Sequence, residues 1–334
     1  MAVGFGQTSR AGWFGRLFPL AARRPAAAEV VFGPDFLATL ERLRLVALRA
    51  MGGGLREGHR LGAYKGGQLE FHGHRSYTPG DELRYVDWNS YARLGRPYVK
   101  EFAREEAGVL HLLLDATPSM TLGAPSKWTF ARRVAALFVH VALASSDVAR
   151  LYLFRSSGAA LAQFPLRGAK AATQGFLSFL EAARADAVPA LPSRAASGSP
   201  VLGAAVSDFL RGSPTRGRVI LISDFWQEEQ ELIAAVSRLA GAGMDAAAIH
   251  VLAPEELSPR AEGQLLARAL EEDGEVELSA GSEFPAAYAR ELEAHCHAVE
   301  QAFRRRGGNY LRAESDTSIE RVLIAALRQR RWVM

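Results

Sequence analysis

The sequence predicts a doubly wound α/β fold, in which helices cover both faces of a largely parallel sheet, with a small β-rich extension ahead of it. Three observations predict it. Two short runs, Leu-Leu-Leu at 112–114 and Val-Ile-Leu-Ile at 219–222, are apolar on both faces, as strands buried inside a parallel sheet are. Both lead at once into an aspartate, Asp115 directly and Asp224 after Ser223. From Val109 onward, strand-like and helix-like segments alternate. At 334 residues, 49% apolar and 23% charged, the chain can bury a full core, and no apolar run is long enough to span a bilayer.

Taken in order, residues 1–33 form a basic tail expected to be disordered. Arg10, Arg16, Arg23 and Arg24 precede the first acid, Glu29, and Trp13, Phe14, Leu17 and Phe18 lie among them. Pro19 and Pro25 interrupt any long helix there. A transit peptide or a membrane-surface helix is the alternative, with peripheral membrane contact through the tail. Residues 34–107 form the extension. A helix over 34–50 carries Phe36, Leu37, Leu40, Leu43 and Val46 at helical spacing and stops at Gly52-Gly53-Gly54. Glycines and aromatics at short intervals then predict small strands and turns over 55–107.

Residues 108–334 form the α/β domain. Strands are expected at 109–115, 147–154, 161–164, 218–223, 246–252 and 309–312. Helices are expected at 127–144, 169–183, 201–210, 228–240, 284–306 and 318–331. The strands at 147–154 and 161–164 read as a hairpin, and Pro/Ala/Ser-rich 188–200 reads as a surface loop. Glu272-Asp273-Gly274 turns a second hairpin inside an insertion over 263–279.

A net charge of +4, from 40 basic and 36 acidic residues, describes a mixed surface and not the clustered basic face of a nucleic-acid binder. The single Cys296 excludes an internal disulfide framework and fits a reducing compartment, so a cytoplasmic location is expected. His295-Cys296-His297 resembles a ligand set, but neighbours on a helix point about 100° apart. Cys296 reads instead as a packing thiol between two partly exposed imidazoles.

Chemistry concentrates where the first strand ends. In open α/β sheets, ligands sit beyond the carboxyl ends of the strands, and there the chain places Asp115, Thr117 and Ser119. One carboxylate and two hydroxyls on one loop suit a hard cation such as Mg²⁺. The other reading is that Asp115 and Thr117 only satisfy amides of the next turn. If the strands before Asp115 and Asp224 are neighbours, both acids face one crevice.

This arrangement resembles the metal-ion-dependent adhesion site of von Willebrand factor A domains. Asp115, Thr117 and Ser119 match its first loop, with threonine in place of the first serine, and Asp224 matches the distal aspartate. The resemblance implies Mg²⁺, or Mn²⁺, as the cofactor. It also implies a threonine from an intermediate loop, here Ser197-Gly198-Ser199-Pro200-Val201-Leu202-Gly203. Pro200 occupies that position and offers no side-chain oxygen; Ser199 is one residue away. Mg²⁺ requires near-octahedral oxygen geometry, so the site is expected to be weakened or degenerate.

A second block narrows the resemblance. Gly80-Asp81-Glu82-Leu83-Arg84-Tyr85-Val86-Asp87-Trp88, followed by Ala92-Arg93, is similar to the signature of the bacterial domain-of-unknown-function family 58. Arg75-x-Tyr77, Gly67-x-x-Glu70-Phe71 and Val99-Lys100-Glu101-Phe102 match that family's usual neighbours, and the likeness covers about residues 35–330. Asp81, Arg84, Asp87 and Arg93 alternate in charge around Trp88. They read either as a structural clamp, with Trp88 as a buried anchor, or as a docking surface. The resemblance implies a von Willebrand factor A-like domain. It further implies a non-enzymatic interaction module working beside a MoxR-type AAA+ ATPase on an unidentified client.

Other classes have less support. A metal-assisted hydrolase using the same carboxylates needs a general base near the ion. The only histidine near either of these two strand ends in sequence is His111, which sits at the strand start and is expected to point away. His72 and His74, with His59, make a conceivable metal triad. No Gly-Lys-Ser/Thr phosphate loop and no Gly-x-Ser-x-Gly elbow occurs. Nucleic-acid binding would fall to the tail.

Overall fold

A computed structural model describes residues 31–52, 69–104, 108–144, 147–155, 162–166, 170–185, 201–212, 214–258, 263–268, 275–280 and 284–329. The expectations for the tail, for His59 and for Ser197 to Pro200 lie outside the described residues. The chain divides into two compact units, residues 50–108 and the remainder.

Helix α1 (Pro34–Gly52) belongs, up to Arg49, to the larger unit. The reason is apolar. Leu40 and Leu43 are buried, Phe32 and Phe36 pack against the main core, and Arg133 Nε donates to the Val31 carbonyl at 3.0 Å.

In the smaller unit, β1 (Leu69–Ser76) pairs antiparallel with β2 (Tyr98–Arg104), with an irregularity between Phe71 and Gly73. Between them lies α2 (Trp88–Leu94), where only strands and turns were expected. Asp87 explains it. Its carboxylate accepts from the Asn89 and Ser90 amides and caps the helix, and Gly95 ends it in a left-handed turn at φ 68°.

In the larger unit, β3 (Val109–Asp115), α3 (Lys127–Ala144), β4 (Val148–Phe154), β5 (Ala162–Leu166), α4 (Lys170–Ala182) and α5 (Val201–Arg211) come first. They are followed by β6 (Arg218–Ser223), α6 (Glu229–Gly241), β7 (Asp245–Leu252), the short α7 (Pro254–Leu257), and the hairpin of β8 (Gly263–Arg268) and β9 (Glu275–Ala280). The chain finishes with α8 (Phe284–Arg304), β10 (Asn309–Glu314) and α9 (Ile319–Arg328). The six-stranded sheet runs β10-β7-β6-β3-β4-β5, parallel except for the edge strand β5.

The central strands are apolar on both faces over 112–114 and 219–222 because both faces are covered. Leu112, Leu114, Ile220 and Ile222 pack in one cluster with Ala131, Val134, Ala135 and Phe138 of α3. Leu113, Val219 and Leu221 pack in a second with Leu202 and Val206 of α5, Leu232 and Val236 of α6, and Val299 and Phe303 of α8. Each such leucine taken fully out of water contributes roughly 1.5–3 kcal/mol. Neighbouring β3 and β6 are in parallel register with Leu114 opposite Ile222, so both strands end on one rim. That register brings the two aspartates to the same end of the sheet.

Candidate functional site

Asp115 ends β3 fully buried, and its carboxylate ties two segments together. Oδ1 accepts from the Thr117 amide at 2.9 Å, and Oδ2 accepts from Ser223 Oγ at 2.5 Å. The first contact is the turn-satisfying role that sequence left open beside the metal role. The second crosses from β3 to the last residue of β6. Thr117 and Ser119 lie on the same loop, almost wholly buried, with hydroxyl oxygens 3.1 Å apart. Asp115, Thr117 and Ser119 therefore lie together at the end of β3.

Ser223 is the hinge of this rim. Besides donating to Asp115, its Oγ accepts from the Phe225 amide at 2.9 Å. Phe225 has φ 53°, the one described non-glycine residue with positive φ. Left-handed backbone at a bulky residue costs on the order of 1–3 kcal/mol and persists only where its surroundings impose it. Here the Ser223 bond and the buried Phe225 ring, edge-on to His250 and Phe303, impose it.

Asp224 carries a partner that sequence reading did not anticipate. Lys127, at the start of α3, is wholly buried, and its Nζ donates to Asp224 Oδ2 at 2.7 Å and to Glu256 Oε1 at 2.5 Å. Glu256 also accepts from Trp226 Nε1 at 3.2 Å and, through Oε2, from the Ala253 amide at 2.6 Å. Burial alone would lower the lysine pKa; the two carboxylates outweigh it and raise the value, so the group is an ammonium. Burial, with Asp224 nearby, raises the Glu256 pKa against the opposing pull of Lys127.

A fainter signal for the lysine existed. Lys127 lies on the stripe of Ala131, Val134 and Ala135, so a cation stood on the core face of an apolar helix.

Two histidines also flank this rim, correcting the expectation that His111 alone was near a strand end. His250 lies opposite Ser223 in the register of β7, and its ring meets His295 edge-on, centroids 5.8 Å apart. His295 stacks on Trp226 at 4.5 Å. Burial, with His295 and Lys127 adding repulsion, holds His250 far below its ordinary pKa, and burial lowers His295 to about 4. Both are neutral near pH 7. His111 does point away: it is buried between Tyr152 and Phe209, with Nε2 2.9 Å from the Thr215 carbonyl. Cys296 is buried as expected, and His297 is exposed.

These residues do not fit a complete divalent site of the Asp-x-Thr-x-Ser plus Asp kind. Asp224 is bonded to an ammonium, which opposes a second cation there, and both Asp115 oxygens accept internal hydrogen bonds. Among the described residues no group of three or more His, Cys, Asp or Glu side chains is placed to hold a metal. Ser199 lies outside the described residues.

In the smaller unit, the charged block is paired locally. Asp81 accepts two bonds from Arg75 at 2.7 and 2.6 Å and one from the Thr78 amide; chiefly the Arg75 bond holds its pKa down at about 2. Asp87 bonds His74 at 2.6 Å, and this with the Ser90 contacts lowers it to about 2. His74 is thereby engaged in capping α2 rather than in the conceivable histidine triad. Arg84 pairs with Glu82 and lies over Tyr85, and Arg93 reaches the Asn89 carbonyl at 3.4 Å. Trp88 corrects the expectation of a buried anchor: it is 60% exposed, touching Tyr91 edge-on on the outer face of a helix of two turns. Leu83, Tyr91 and Leu94 are also exposed.

A family model described as "Protein of unknown function DUF58" matches residues 73–298, more than half of the chain and including both the Asp87-Trp88 block and the strand-end rim. The chain belongs to that family. Among curated relatives, this DUF58 chain is 26% identical over 288 residues to the uncharacterized protein Rv1480 of Mycobacterium tuberculosis, covering 85% of this chain and 86% of the relative. The uncharacterized protein Mb1516 of Mycobacterium bovis matches equally. Among solved structures, the conserved hypothetical protein BatB from Bacteroides thetaiotaomicron aligns at 16% identity and TM-score 0.38, over 66% of this chain and 99% of that one. The doubly wound α/β fold of this DUF58 chain stands on its own strand order and on the helices covering both faces. No helix among the described residues is long and apolar enough to cross a membrane.

Proposed function

We propose that this DUF58 chain is a non-enzymatic protein-interaction module that presents the loops beyond β3 and β6 to a partner. In this reading it acts with a MoxR-type AAA+ ATPase in assembly or maturation of a client protein. The observation that carries the reading is the rim itself. Two neighbouring strands deliver Asp115 and Asp224 to one end of the sheet, and Ser223 and a left-handed Phe225 fix the loop between them. Conformational strain kept at strand-end loops is characteristic of recognition sites.

The adhesion-type site within this rim is degenerate. Where Mg²⁺ or Mn²⁺ enters, Asp115, Thr117 and Ser119 are the ligands on offer, and Asp224 contributes only after parting from Lys127. The block Asp81, Arg84, Asp87, Trp88 and Arg93 is a second docking face in this proposal. The exposure of Trp88, Tyr91 and Leu94 supports it, since tryptophan, tyrosine and arginine dominate binding hot spots.

Affinity capture with the full chain from its native organism, with and without EDTA, tests the proposal. Recovery of an AAA+ ATPase in both conditions is the expected result. Consistent absence of any AAA+ protein, under gentle crosslinking as well, would overturn the partner assignment. The placement of His250 and His295 beside Asp224 favours one second reading, a hydrolase. It requires turnover of ester or phosphoester substrates that His295→Ala removes. Their low pKa values leave both rings neutral near pH 7, and His250 is wholly buried, which weighs against its access to substrate.

A further inference from the structure

We propose that Lys127 is the resident cation of the strand-end rim: its tethered ammonium supplies the positive charge that Asp224 and Glu256 require, and the rim assembles without a divalent ion. The proposal concerns the isolated chain and stands or falls independently of which partner it meets.

Lys127 is wholly buried, and such a group persists as an ammonium only when paired and hydrogen-bonded. Its two contacts, 2.7 Å to Asp224 and 2.5 Å to Glu256, join three separate elements: the start of α3, the residue after β6, and α7. Glu256 Oε1 accepts from the Trp226 indole as well as from Lys127, and Oε2 accepts from the Ala253 amide, so the carboxylate cannot swing away to serve a metal without losing three donors.

One ammonium lies between the two acids, and the indole N–H and backbone N–H on Glu256 offset by hydrogen bonding the negative charge it leaves over. A divalent ion bonded to Asp224 would face that ammonium at close range. It would have to displace a covalently tethered competitor, whose effective concentration no free ion matches. A lysine on the helix after the Asp115 loop thus does electrostatically what a metal would do on the Asp224 side, and does it permanently.

The full-length protein is titrated with Mn²⁺, followed by electron paramagnetic resonance and by thermal melting, against an EDTA-treated control. Wild type is expected to bind no Mn²⁺ through Asp224 and to melt at one temperature in every condition. Lys127→Ala opens a side-chain-sized void between two acids. Its melting temperature is expected to fall, to rise again with Mn²⁺, and to lose that response when Asp224→Asn is added. A merely space-filling lysine would not produce this metal response.

Saturable Mn²⁺ binding by wild type that Asp224→Asn abolishes would overturn the proposal, as would a folded Lys127→Ala protein indifferent to Mn²⁺. Where Lys127→Ala does not fold, the neutral triple variant Lys127→Met, Asp224→Asn, Glu256→Gln decides. Recovery of the fold supports charge compensation, and failure to recover overturns it. Loss of partner capture with an unchanged Mn²⁺ result would strike only the partner reading.

Discussion

Replacing Ser223 by alanine should loosen the rim more than its small volume suggests. Its hydroxyl is wholly buried and makes two bonds, donating to the Asp115 carboxylate at 2.5 Å and accepting from the Phe225 amide at 2.9 Å. A hydrogen bond to a charged group contributes roughly 1.5–3 kcal/mol and a neutral one about 1 kcal/mol. Alanine fits without clash, so Ser223→Ala should cost about 2–4 kcal/mol. With a urea slope of ~2 kcal/mol per molar, the unfolding midpoint should fall by roughly 1–2 M. A double-mutant cycle with Asp115→Asn should give a coupling of about 1 kcal/mol or more, because the two groups touch. If Ser223→Ala shifts stability by less than about 0.5 kcal/mol, Ser223 does not hold the two strand ends together, and the description of the rim is wrong.

Four further outcomes follow from named contacts. His111 has a folded pKa of about 4 against an ordinary 6.5, because burial penalises its charged form. Between those values the unfolded chain binds the proton more readily. Its contribution, about 3 kcal/mol, is therefore complete above pH 6.5 and is lost as pH falls toward 4. Urea midpoints against pH should show a smaller drop in that window for His111→Phe than for wild type, and equal slopes would refute the assignment.

Gly123→Ala should destabilise by about 2 kcal/mol or more. Its φ is 94°, and a Cβ there would sit 2.9 Å from the Ala253 Cβ. A calorimetric melt within a degree of wild type would contradict this. Trp88→Ala should leave stability within about 1 kcal/mol while weakening partner capture, since the ring is largely exposed; a large loss of stability with intact capture would return Trp88 to a structural role. Arg75→Ala, although it breaks the two-bonded pair with Asp81, should leave the denaturation midpoint close to that of wild type, because the pair faces solvent.

The α/β architecture was legible because its signals are local. The run at 219–222 and the leucines of 112–114 are apolar on both faces, which only a strand covered on both sides requires. The helix over 127–144 and the hairpin of β8 and β9 were equally plain from spacing and from a turn sequence. The short helices were less so. α2 depended on a single capping aspartate, and α7 is one turn that no periodicity can reveal.

By itself, the sequence determined the sheet, its central strands, and the loop bearing Asp115, Thr117 and Ser119, because each follows from residues close together in the chain. Only the tertiary structure decided what Asp224 faces. Lys127 and Glu256 lie 97 residues before and 32 after it, and nothing in local spacing says that an ammonium from one helix and a carboxylate from another will meet there. The physical reason is that charge pairing in a core is settled by which side chains the packed sheet and helices bring within about 3 Å. That is a property of long-range contacts and not of any one segment.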